Sequence, residues 1–147
     1  MTVSTKGRYG LRLLLDIALH QEHGAVNLND IAKRQQISSK YLWQVVNPLK
    51  AGGIVRVTRG ARGGYMLARP AERITLCDVL ELLEGPLALA DCVASRASCE
   101  RSADCVTREI WSELTTVIRN TLRGIALADI VERVRTRQAA AETNYMI

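Results

Sequence analysis

Apolar residues recur along most of the chain at helical spacing, and only twice do they shorten into strand-like runs. Between Gly7 and His20, the residues Tyr9, Leu11, Leu13, Leu14, Leu15, Ile17 and Leu19 make a helix apolar nearly all round, which predicts burial on more than one side. Gly24 ends it. Asn27 starts a second helix, with Asp30 three residues on as a capping-box-like pair and Ile31 and Ala32 pointing inward. Gln35, Gln36 and Ile37 read as a turn. Ser38 caps a third helix whose apolar positions Leu42, Val45, Val46 and Leu49 fall at i, i+3, i+4 and i+7. Its other face carries Ser39, Lys40, Trp43, Gln44 and Asn47, and Gly52 and Gly53 stop it. Two helices joined by a short turn, the second with a polar face, predict a helix-turn-helix.

Two β-type runs follow, residues 54–57 and 64–67, separated by Thr58-Arg59-Gly60-Ala61-Arg62-Gly63. A hairpin with a glycine-rich, doubly basic tip directly after a helix-turn-helix predicts a wing. Glycine lets the backbone approach a ligand closely, and arginine suits a phosphate or a narrow minor groove. A nucleotide-phosphate cradle is the alternative, but neither a P-loop nor a dinucleotide fingerprint fits. Thr75 and Asp78 then open a fourth helix, with Leu76, Val79, Leu80, Leu82 and Leu83 before Gly85-Pro86. A long helix is predicted from Val106 to Arg123. Its stripe of Ile110, Leu114, Val117, Ile118, Thr121 and Leu122, with Trp111 beside it, calls for a partner, and a second subunit is the sharper reading. A short helix over Leu127 to Val134 and a disordered tail over 135–147 complete the expectation.

The most informative local feature lies between the fourth and the long helix. Cys92, Cys99 and Cys105 stand at C-x6-C-x5-C spacing in a small, polar loop unable to bury its own backbone without help. Thiolates at that density are ligands for soft metal centres. Three reduced surface thiols, or one disulfide with a thiol left over, is the plainer alternative. Cys77 lies earlier, inside the fourth helix, and reads as a small core residue.

Charge separates the two halves. Residues 1–70 carry eleven Lys and Arg against three Asp and Glu, and residues 71–147 carry nine against twelve, within a formal net charge of +5. That asymmetry suggests a nucleic-acid-binding front and a separate sensing or assembly end. No secretory signal and no membrane-length apolar run is visible, so a cytoplasmic protein is expected, with no membrane partner and with reduced cysteines.

Ser4-Thr5-Lys6-Gly7-Arg8-Tyr9, Asp30-Ile31-Ala32, Ser39-Lys40-Tyr41-Leu42, Arg59-Gly60-Ala61-Arg62-Gly63-Gly64-Tyr65 and the cysteine triplet before Trp111-Ser112-Glu113-Leu114 carry a resemblance over residues 1–134. The chain resembles the bacterial winged-helix regulators typified by the iron–sulfur cluster regulator IscR, the nitric oxide sensor NsrR and the cysteine metabolism repressor CymR. The resemblance implies a mainly α fold with a small β-wing. A winged helix-turn-helix domain spans 1–85, a cluster-binding loop 86–105, and a dimerisation helix with a short terminal helix 106–134, followed by the flexible tail.

It further implies a homodimeric DNA-binding regulator, a repressor and not an enzyme, on a palindromic operator of double-stranded DNA. An iron–sulfur cluster, 2Fe-2S or 4Fe-4S, would sit on Cys92, Cys99 and Cys105, so that the protein senses cluster status, iron, or redox or nitrosative stress. Lys6, Ser38, Ser39, Lys40, Tyr41, Trp43, Gln44, Arg59, Arg62 and Gly63 are the expected DNA contacts. Trp111, Leu114, Val117, Ile118, Thr121 and Leu122 are the expected dimer contacts.

CymR-type members lack the triplet. IscR-like members place a histidine, their fourth ligand, where this chain has Arg108, and a glutamate where it has Trp43. NsrR-like members use an aspartate where it has Arg8. A zinc site or thiol redox switch on the same cysteines stays open as an alternative. A cysteine-dependent redox enzyme is more distant, since no Cys-x-x-Cys occurs and no histidine lies near the triplet.

Overall fold

A computed structural model describes residues 1–146. The helices are α1 (Thr5–His20), α2 (Leu28–Gln35), α3 (Ser39–Ala51), α4 (Leu76–Glu84), α5 (Asp91–Ala94), α6 (Val106–Arg123) and α7 (Leu127–Tyr145). Between α3 and α4 the antiparallel strands β1 (Val55–Thr58) and β2 (Gly64–Leu67) pair with Val55 opposite Leu67 and Thr58 opposite Gly64. The fold is mainly α with a two-stranded wing, as the pattern predicts.

Helix α1 is the hub. It packs against α2, α3, α4, α7 and β2, which is why it is apolar nearly all round. Leu13, Leu14 and Ile17 meet Ile31, Leu42, Val45, Val46, Leu49, Ile54, Ile74 and Leu127 in one core. Each such fully buried side chain contributes about 1.5–3 kcal/mol through removal from water. A smaller cluster joins Cys77, Leu80 and Leu87 with Leu76 and Leu122, and seats α6 on α4. The Thr115 hydroxyl, buried in this seam, accepts from the Leu89 N–H at 3.1 Å, and Arg119 pairs with Glu81 at 2.5 Å.

The helix starts follow local side-chain chemistry. Ser38 Oγ accepts from the Tyr41 N–H, and Thr75 with Asp78 forms a reciprocal capping box. At α2 the Asn27 side chain accepts from the Asn29 N–H, so the cap is made without the expected Asp30.

Two further features depart from the sequence reading. The wing has a third element: Val26, before α2, exchanges two backbone hydrogen bonds with Tyr65 at 2.8 and 2.9 Å. Gly64 is required beside it, because a Cβ there would collide with the Val26 carbonyl. The last helix does not stop at Val134 but continues to Tyr145, so residues 135–145 of the tail expected to be flexible are helical. Leu127 and Val131 anchor its first turns; beyond Val134 every described residue is exposed. Helix-forming Arg, Gln and Ala carry it on without burial. Ile147, the end of that expected tail, lies outside the described residues.

Candidate DNA interface and cysteine site

The turn between α2 and α3 is braced by two charged residues of α1 that the apolar pattern passes over. Asp16 is 1% exposed, and it accepts from the Arg34 guanidinium at 2.6 Å and from Gln35 Nε2 at 3.0 Å. Burial pushes its carboxyl up, but the hydrogen bonds from Arg34 and Gln35 and the Arg34 charge outweigh that and hold it below the usual carboxylate range. One turn earlier, Arg12 donates to the Gln35 backbone carbonyl and, at 3.1 Å, to its side-chain oxygen. Its guanidinium lies 5.3 Å from the Tyr9 ring, which meets Tyr41 edge-on at 5.5 Å. Gln36, at φ 56, makes the left-handed corner. The only acid of α1, four residues after Arg12 in an otherwise apolar stretch, is the available signal for this brace.

Breaking it has a predictable cost. Asp16→Asn is expected to lower stability by about 2–4 kcal/mol in denaturant unfolding at neutral pH, because it leaves Arg34 without its carboxylate. The folded-state pKa of Asp16 is depressed. Its contribution is therefore complete above the unfolded-state pKa and is lost as pH falls through the lower folded value. The stability difference between wild type and Asp16→Asn should thus shrink in the acid range below pH 4, which unfolding curves collected across that range would show.

With the turn fixed, α3 presents Lys40, Trp43, Gln44 and Asn47 to solvent, opposite the buried Leu42, Val45, Val46 and Leu49. The other expected contacts on this helix are partly committed elsewhere. Ser38 is the cap, Ser39 Oγ donates to Asn29 Oδ1 at 3.0 Å, and Tyr41 is half-buried against Tyr9. Lys6, half-buried, occupies the first turn of α1, one turn before Tyr9. At the wing tip Arg59 and Arg62 are exposed, Gly60 adopts φ 111, and the Gly63 N–H closes the turn onto the Gly60 carbonyl at 3.0 Å.

The cysteine segment is more ordered than an irregular loop. Cys92 lies in α5, Cys99 follows a short 3-10 turn over Arg96–Ser98, and Cys105 is the residue from which α6 springs. Ser98 Oγ and Ser102 Oγ donate to the carbonyls of Ser95 and Arg96, so short polar side chains satisfy the backbone. All three thiols are free and half-buried. Cys105 Sγ lies 3.2 Å from Thr107 Oγ1; that hydroxyl first, and then the backbone N–H of Arg108, hold its thiol below the ordinary value. Cys77 contrasts with it. Burial first, then Glu81, pushes that thiol up, and its Sγ donates to Glu81 Oε1 at 3.6 Å within the core.

Three thiols of this kind suit a thiolate-ligated cluster in donor chemistry. The described residues do not bring three donors within reach of one metal ion. Arg108 is otherwise engaged, since its Nε donates to the Cys92 carbonyl at 3.0 Å and ties α5 to the first turn of α6. His20 and His23 line a separate cavity with Asn27, Asp30, Arg34 and Arg62 against the wing, and no cysteine borders it.

Helix α6 turns only part of its predicted stripe outward. Val106, Ile110, Trp111, Leu114 and Val117 are exposed, with Val117 at 61%, and Thr121 is exposed beside them. Ile118 is half-buried, and Leu122 packs on Cys77, Leu80 and Leu87 within the chain, so its expected place in a dimer contact is at most partial.

The profile of the Rrf2 family, described as iron-dependent transcriptional regulators, matches residues 3–133. The protein Rrf2 of Nitratidesulfovibrio vulgaris is 42% identical over 131 residues, covering 89% of this chain and 87% of its own length. Among solved structures, the global cysteine regulator CymR of B. subtilis is similar with a TM-score of 0.75 at 32% identity, over 90% of this chain and 98% of that one. IscR of T. potens is similar with a TM-score of 0.75 at 36% identity, over 94% and 91%.

Proposed function

Because the chain belongs to the Rrf2 family of iron-dependent transcriptional regulators, we propose that it is a cytoplasmic homodimer whose grip on a palindromic operator is set by an iron–sulfur cluster held by Cys92, Cys99 and Cys105. That it is a transcription regulator and not an enzyme follows from the family. One observation supports the finer reading most: three free, half-buried thiols share the one segment that leads into α6, while the fourth cysteine is sealed in the core. Cys105 begins α6, and Arg108 of that helix holds the Cys92 carbonyl. A change in how the thiols are engaged is therefore felt at the base of the helix assigned here to dimer contact. A bound cluster would supply the redox- and iron-sensitive chemistry; the chain supplies the mechanical link.

DNA is engaged from the other end. Phosphate contacts from Lys6 and Lys40 position the protein, while Gln44 on α3 and Arg59 in the wing provide discrimination. No helix among the described residues is long and apolar enough to cross a membrane.

The test is selection of bound sequences from a random duplex library by anaerobically purified protein, followed by anisotropy titration across salt concentrations. A two-fold symmetric site and a steep inverse salt dependence are expected. Enrichment of no sequence would overturn the DNA-binding assignment. On the selected site, Arg59→Ala should weaken binding by about 1–3 kcal/mol. Equal affinity would remove the wing from the interface.

A further inference from the structure

One residue on the outward face of α3 is unexplained by folding. Lys40, Trp43, Gln44 and Asn47 fall at i, i+3, i+4 and i+7, and all four are exposed. Three are ordinary solvent-facing residues. Trp43 is 54% exposed, and it belongs to neither the aromatic nor the cation–π pairs among the described residues. Tryptophan is highly buried on average, and an indole left in water forgoes a large apolar gain. It stands in the second turn of α3, in the half of the helix that a helix-turn-helix lays against base edges.

Indole chemistry narrows what it can read there. The side chain has two apolar faces, one N–H donor and no acceptor. It cannot form the paired hydrogen bonds by which arginine reads guanine or an amide side chain reads adenine. The apolar group that the major groove presents is the C5-methyl of thymine. Lys40 and Gln44 flank Trp43 on the same stripe, so the surface offers a cation, an apolar plate and an amide in succession.

We infer that Trp43 is a thymine-reading residue. Its indole packs on the C5-methyl of one thymine in each operator half-site and excludes water from both. It accepts 5-methylcytosine at the same groove position, since that base presents the same methyl. This inference rests on α3 being the recognition helix.

The experiment uses the full chain and the operator selected from the random library, with each thymine replaced singly by deoxyuridine, which removes only the methyl. One position per half-site should lose about fourfold in affinity, the factor equivalent to burying one methyl-sized group. Trp43→Ala should bind the thymine and deoxyuridine forms equally at that position, and Trp43→Phe should retain part of the difference. With cytosine placed there, its 5-methyl form should bind wild type more tightly than the unmethylated base. Unchanged sedimentation and thermal midpoint establish that the variants are folded. A wild type with no deoxyuridine-sensitive position, or a Trp43→Ala that keeps the same deoxyuridine loss, overturns the inference. If no operator is selected at all, the DNA-binding assignment fails first, which separates the two outcomes.

Discussion

Serine at Cys92, Cys99 or Cys105 is expected to abolish the visible absorption of anaerobically purified protein and to strip its iron, whereas serine at Cys77 leaves both in place. A hydroxyl is a poor replacement for thiolate at iron, and iron–sulfur clusters are held by thiolates. The structure sharpens the contrast. Cys77 is 2% exposed, its thiol is pushed up by burial and by Glu81, and it is packed with Leu80 and Leu87. The other three are free and half-buried in one segment. Cys77→Ser should cost stability instead, by about 1–2 kcal/mol, through loss of a buried apolar contact. Iron and sulfide counts on all four variants decide it. If Cys77→Ser loses its iron as fully as Cys99→Ser, Cys77 is a ligand; if all four stay coloured, the triplet does not hold the cluster.

Leu114→Glu should convert a dimer into monomers and take operator affinity with it. Leu114 is 45% exposed in the single chain, so folding tolerates the change, and it lies centrally in the stripe from Val106 to Val117. A contiguous exposed apolar surface of this kind marks an association site. Burying an unpaired carboxylate costs several kcal/mol, and two-fold symmetry places two of them in the contact. A loss of about 4 kcal/mol would raise the dimer dissociation constant about a thousandfold. Sedimentation velocity at micromolar concentration reads this directly, with circular dichroism as the check on folding. An intact Leu114→Glu dimer would move the contact away from this face of α6.

What the sequence disclosed and what it hid divide along physical lines. Helix α3 was legible to within a residue, because its cap at Ser38 and its four buried positions are local and periodic. The same holds for the Thr75–Asp78 box of α4 and for the full span of α6. Pairing between distant short segments was not legible: Val26 meets Tyr65 through backbone hydrogen bonds that leave no side-chain period. The length of α7 was missed because its outer half buries nothing, so the apolar pattern ends at Val134 while the helix does not. Asp16 was hidden in plain view, as a buried acid has no meaning until Arg34 is placed beside it.

The division of α6 is a further case. Periodicity marks its apolar residues but not which neighbour each one meets, so Leu122, which seals the cluster under α4, looked like Leu114, which is open. The cysteine segment gave donor types and spacing. The engagement of Arg108 with the Cys92 carbonyl depends on how the segment folds back, which no spacing rule encodes.

The most direct test of cluster-dependent DNA binding is one titration run in two states. Protein purified without oxygen is assayed for iron and acid-labile sulfide, then titrated against the selected operator before and after removal of the metal by chelation under reducing conditions. The account predicts a brown protein with matching iron and sulfide, and an operator affinity that differs between the two states by tenfold or more, about 1.4 kcal/mol. A colourless protein holding zinc, or the same affinity in both states, would contradict it.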